Sequence, residues 1–165
     1  MDDTSPPAIP TDGDAPAAPL PVATVLEIRD RCLCLAAQRA ARRLARRFDR
    51  LFAPLGLTNG QFSLLVALSG GWKPRLGELA DFLAMDPTTV TASVKTLRRG
   101  GFVELMSDTE DARVRRPRLT DAGRAILQQA VPMWRAEHAR VDAELDAELG
   151  AEAARDAARL LRALA

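Results

Sequence analysis

Residues 86–101, DPTTVTASVKTLRRGG, gather Thr88, Thr89, Thr91, Ser93 and Thr96 beside Lys95, Arg98 and Arg99. β-Branched and hydroxyl side chains are poor helix formers, because they lose rotamer freedom or compete for backbone hydrogen bonds. Yet Val90, Val94 and Leu97 recur at helical spacing, and winding at about 3.6 residues per turn puts them on one side with Ser93 beside them. Thr88, Thr91, Ala92, Lys95, Thr96 and Arg99 then fall opposite. Short hydroxyls, one alanine and cations together can approach a base edge closely, touch thymine methyls and reach phosphates. The competing reading is a polar face that is only solvated.

Context decides between the two. Asp86 reads as an N-cap with Pro87 at the first helical position. Before it, apolar positions 76, 79, 80 and 83 predict a helix over about Leu76–Leu83, followed by the break Ala84-Met85. After Gly100-Gly101 the period changes. Phe102–Met106 and Val114–Leu119 predict two short strands joined by Ser107-Asp108-Thr109-Glu110-Asp111. Helix, short turn, capped second helix and basic hairpin form a winged helix-turn-helix, with the second helix in a major groove. Arg113, Arg115, Arg116 and Arg118 on the hairpin would lie near the backbone or a narrow minor groove.

The flanking elements supply the scaffold. Apolar residues at 33, 37, 40, 44, 48, 51 and 55 predict one long helix from about Val22 to Ala53, with Arg39, Arg42, Arg43, Arg46, Arg47 and Arg50 on its other side. Pro54 and Gly56 end it. Thr58-Asn59-Gly60-Gln61 is a capping box opening a helix to about Leu68, which Gly70-Gly71 closes. Leu119-Thr120 starts a long helix with positions 126, 130, 134, 137, 141 and 145 at helical spacing, all apolar except Glu137, bent near Pro132, and Gly150 separates it from a final Ala/Leu/Arg helix.

The fold class expected is thus mostly α with a small β-hairpin wing. Its divisions are a disordered Pro/Asp-rich tail (1–21), an N-terminal dimerisation helix (22–56), the winged helix-turn-helix (57–120) and C-terminal dimerisation helices (121–165). The tail holds six of the eleven prolines, four aspartates and no basic residue, so the formal net charge of +1 leaves +5 on the remainder. Cys32, Cys34 and the single His138 are too few for a zinc site, and no metal or cofactor is expected. No phosphate loop or nucleophile elbow is present, so the chain is not expected to be an enzyme. No apolar run reaches the roughly 18 residues of a membrane span, and a cytoplasmic protein is expected.

The stretch LGELADFLAMDPTTVTASVKTLRRGGFVE, followed by DTEDARVRRPRLTDAG, resembles the multiple-antibiotic-resistance regulator (MarR) family. The resemblance extends from about Leu26 to Leu164. The wing Asp-x-Arg (Asp111, Arg113) and the Leu-Thr-x-x-Gly (Leu119, Thr120, Gly123) fall in the family's order and spacing. It implies a homodimeric regulator, in particular a repressor, whose first and last helices interleave and whose two winged lobes read a palindrome in double-stranded DNA. Many relatives carry Arg where Ala92 stands, and Arg-rich pairs where Leu105-Met106 stand, so readout here leans on Thr88, Thr91 and Lys95. The DNA-binding set is Thr88, Thr89, Thr91, Lys95, Arg99, Arg75, Arg113 and Arg115.

Two signals are open to such a regulator. The family binds small aromatic or phenolic acids between dimer helices and lobe, and Phe48, Phe52, Trp134 and Met133 are the matching candidates, against the alternative that they are ordinary core. In the family's peroxide-sensing branch a reactive cysteine lies 24 residues before the Thr opening the second helix, as Cys34 lies before Thr58. That branch holds its thiolate with tyrosines, and this chain has none; Cys34 and Cys32 can equally be packing residues. Two residues apart on one helix, they are rotated by about 200° and should not bridge within a chain. A winged-helix module that binds protein rather than DNA, and an enzyme remnant, are the remaining classes. Neither needs arginines clustered beside a hydroxyl-rich helix.

Overall fold

A computed structural model describes residues 18–108, 111 and 114–163, in two compact units, one ending at Ala40 and one running from Ala41. The expected tail falls almost wholly outside the described residues, and 18–21 carry no regular structure. Helix α1 covers Val22–Arg31 and α2 covers Leu33–Phe52. The single helix expected over this stretch is therefore broken at Cys32, whose φ of −76° and ψ of 100° are extended. The break is capped rather than frayed. Cys32 N–H still donates to Ile28 O at 3.0 Å, and its Sγ accepts from Leu35 N–H at 3.4 Å, as an N-cap side chain does.

In the second unit, α2 runs out through a 3-10 turn, Ala53–Leu55, into Gly56, whose φ of 68° is left-handed. Helix α3, Asn59–Ser69, opens on the expected capping box: Thr58 Oγ1 accepts from Gln61 N–H at 3.2 Å and Thr58 N–H donates to Gln61 Oε1 at 3.0 Å. Asp49 of α2 accepts from Asn59 N–H at 2.7 Å. Helix α4 is Leu76–Phe82 and α5 is Pro87–Arg99, and between them Ala84 turns the chain at a φ of 48°. Strands β1, Val103–Ser107, and β2, Arg115–Leu119, pair antiparallel from Val103 opposite Leu119 to Ser107 opposite Arg115. Helices α6, Asp121–Leu149, and α7, Ala151–Ala163, meet at Gly150.

One core holds the lobe together. Phe52, Leu64, Leu65, Leu79 and Val90 are fully buried, with Val94, Leu97, Val103, Leu119 and Ala130 close behind. The Leu-Thr-x-x-Gly motif joins wing to α6 for a steric reason. Thr120 Oγ1 caps α6 by accepting from Gly123 N–H at 3.0 Å and donates to Gly101 O at 2.6 Å. A Cβ on Gly123 would lie 2.1 Å from Phe102 O, so only glycine lets α6 approach the root of β1.

Candidate nucleic-acid interface

The geometry of α5 follows from its cap and its apolar stripe. Asp86 accepts from Thr88 N–H at 2.8 Å and Thr89 N–H at 3.2 Å, and these bonds hold its carboxyl below the usual carboxylate range, Thr89 contributing most. Val90, Val94 and Leu97 are buried at 0%, 3% and 2% exposure, and Ser93 is half-buried. Thr88, Thr89, Thr91, Ala92, Lys95, Thr96, Arg98 and Arg99 are all exposed. Lys95 has no hydrogen-bond or ion-pair partner among the described residues. Arg99 Nη2 donates to Thr96 Oγ1 at 3.3 Å.

The wing divides its arginines. Arg113 lies outside the described residues. Arg115 is exposed and donates to Ser107 Oγ at 3.0 Å. Arg116, expected near the duplex, instead turns inward. It is bonded to the carboxylate of Asp108, donates to Lys73 O at 2.5 Å and lies 3.8 Å from Glu78 of α4. Strand alternation sends it to the opposite face from Arg115, toward the Asp108 side chain, which is 7% exposed. Arg118 is exposed but paired with Glu104 across the strands at 2.7 Å. Arg75 precedes α4 with its side chain exposed, while its N–H donates to Glu78 Oε2 at 2.7 Å.

Away from this face, Phe48 and Phe52 are 6% and 0% exposed. Phe52 stacks on Phe62 at 4.5 Å between centroids, and His138 stands 5.8 Å from Phe48 and 4.6 Å from Trp134. Trp134 and Met133 are half-buried. Alongside runs a network that the sequence pattern does not announce. Arg47 is bonded to Glu137 and donates to Glu144 at 2.5 and 2.8 Å, and Arg140 donates to Glu137 at 3.0 Å. Glu144 and Glu137 raise the Arg47 pKa, and Arg47 in turn lowers both carboxylates. The partners are 90 and 97 residues apart, so helical periodicity gives no sign of them. Asp108, Lys73 and Glu78, which brace the wing through Arg116, are likewise not announced by the sequence pattern.

Cys34 is exposed and accepts from Gln38 Nε2 at 3.3 Å, and both cysteines are free thiols. Because Cys32 leaves the helix, the rotation expected of two helical residues does not describe this pair.

Residues 57–114 match the model of the MarR family. The chain is 41% identical to the M. tuberculosis transcriptional regulator MosR solved in complex with DNA, with a TM-score of 0.64, over 81% of this chain and 96% of that one. This chain belongs to the MarR family. It is also 36% identical over 86 residues to the HTH-type transcriptional repressor YetL of Bacillus subtilis (strain 168), and that match spans about half of each protein, 51% of this chain and 52% of YetL. A mutant of E. coli MarR complexed with operator DNA shares the fold, with a TM-score of 0.72 at 23% identity over 84% of this chain and 97% of that one. MarR-family proteins are transcriptional regulators rather than enzymes. No single helix among the described residues is long and apolar enough to cross a membrane.

Proposed function

We propose that this MarR-family DNA-binding transcriptional regulator is a homodimeric repressor that reads a palindromic operator, with α5 in the major groove and the wing on the backbone or minor groove. The observation that carries the proposal is the division of α5. Its apolar stripe is fully used by the core, and the hydroxyl-and-cation side, from Thr88 to Arg99, is uncovered. Arg75, Arg113 and Arg115 supply sequence-independent attraction to phosphates. A second copy is supported by apolar side chains left exposed on the flanking helices, Val22, Val25 and Ile28 in the first unit and Leu149, Leu160 and Leu161 in the second. The repressor role is supported by the likeness to the transcriptional repressor YetL. Gel shifts across a salt series test the reading: affinity falls steeply as salt rises, in the ratio of one dimer to one duplex. Failure to bind any duplex at low salt, or binding as a monomer, contradicts it.

The signal we assign is a small aromatic acid at the cluster of Phe48, Trp134 and Met133, with Phe52 beneath. The contiguous rings of Phe48, His138 and Trp134, of which only Phe48 is buried, support it. Benzoate-class acids should quench Trp134 fluorescence and release DNA, and a Trp134→Phe variant that still responds would move the site elsewhere. The exposure of the free Cys34 thiol supports oxidation as a second signal. A peroxide would give one oxygen to the Cys34 thiolate, making a sulfenic acid, and leave as water. Peroxide titration of the DNA complex, for wild type and Cys34→Ser, decides it.

A further inference from the structure

We propose that Ala92 is a seat for the C5-methyl group of a thymine, and that Lys95 selects a guanine beside it. The proposal rests on the DNA-binding reading above and names what that same face recognises. On the helical wheel Ala92 occupies the middle of the uncovered side of α5, with Thr88 and Thr96 one turn before and after it. The hydroxyls around it are already engaged. Thr96 Oγ1 donates to Ala92 O at 3.1 Å, Thr91 Oγ1 donates to Pro87 O at 2.8 Å, and the Thr88 hydroxyl is bonded to the Asp86 carboxylate.

A hydroxyl has one hydrogen to give, so these three threonines offer a duplex only methyl groups and oxygen lone pairs. Their lone pairs do not discriminate, since A·T and G·C pairs each present one amino donor in the major groove. The thymine methyl does, being the one apolar group on any base-pair edge there. Methyls at 88 and 92, with no long side chain between them, form a surface that gains by covering that methyl and gains nothing from cytosine. The first long donor on the face is Lys95, exposed and unpartnered among the described residues. It lies three residues past Ala92, about 4.5 Å along the axis, or between one and two steps of about 3.4 Å along the duplex. Its ammonium has protons for guanine O6 and N7, the acceptors a lysine commonly reads.

The test uses the full-length protein and a random-sequence duplex library, followed by base substitution on the selected duplex. Selection should enrich a thymine with a guanine within two positions in each half-site. Replacing that thymine by deoxyuridine removes one methyl and should weaken binding about fourfold, the effect of burying a single methyl-sized group. A G·C pair there should bind as weakly as the uracil duplex, and 5-methylcytosine in place of its cytosine should recover part of the loss. In Ala92→Gly, and to a smaller extent Thr88→Ser, the uracil effect should shrink, circular dichroism confirming that the variants remain folded. Selection of a sequence in which uracil is neutral at every thymine, or in which 5-methylcytosine never helps, overturns the proposal and leaves DNA binding standing. Absence of duplex binding at low salt overturns both.

Discussion

Strand β2 and helix α5 both bring cations to the same lobe, but they hold them differently. Along β2, Arg115 points out, Arg116 is tied to Asp108, the Lys73 carbonyl and Glu78, and Arg118 is neutralised by Glu104. Along α5, among the described residues, Lys95 has no partner and Arg99 makes a side-chain hydrogen bond to a threonine hydroxyl. A cluster of arginines in sequence is thus a poor count of charges available to DNA. In the wing one of three described arginines is structural and one is paired. In the helix, the surface is set by its own period and cap.

The comparison can be broken most severely at the wing's root. Gly123→Ala forces a Cβ against Phe102 O, and thermal denaturation should show a loss of about 3 kcal/mol, whereas an equally conservative Thr91→Ser on α5 should leave the midpoint nearly unmoved. Next is Arg116→Ala, which removes the cation bonded to the Asp108 carboxylate and the tether to the Lys73 carbonyl. We expect Tm to fall by about 4–8 °C and affinity to weaken on every DNA sequence alike, because the wing loses its tether rather than a base contact. Arg115→Ala should leave Tm unchanged, weaken all duplexes several-fold and reduce the slope of log affinity against log salt by about one. Arg118→Ala, already paired with Glu104, should change affinity less than about twofold, and an effect as large as that of Arg115 would show that the pair opens on DNA.

The smallest expected effect is on pH. The cap bonds hold the Asp86 carboxyl below its unfolded value, so its contribution is complete above the ordinary carboxylate range and disappears as pH falls through the lowered value. Glu137, lowered chiefly by Arg47, has the same sign. Melting curves from neutral pH down to about pH 3 should fall less steeply for Asp86→Asn than for the wild type, and parallel curves would mean that the cap does not persist in solution.

How much of this is legible in the sequence depends on the range of the interactions. The capping box at Thr58, the N-cap at Asp86, the glycine turns and the faces of α5 are local, and residues within four positions determine them. The hairpin follows from the change of period and one polar turn, whereas its register, Val103 opposite Leu119, comes from the structure. The fate of Arg116 was not legible, since it depends on Lys73, a residue 43 positions away. Nor was the Arg47–Glu137 pair. The break at Cys32 carries no proline or glycine to announce it, and sulfur is an unusual helix cap. Phe48 and Phe52 were readable as apolar, but their depth in the core is a property of packing against Phe62 and His138.

The central claim is that α5 reads sequence while the wing supplies general attraction. It is tested most directly by the ratio of affinities for a selected duplex and a shuffled one of equal composition, measured at one salt concentration for wild type, Lys95→Ala and Arg115→Ala. The account predicts that Lys95→Ala lowers this ratio about tenfold and that Arg115→Ala lowers both affinities while preserving it. An unchanged ratio in Lys95→Ala would contradict the account.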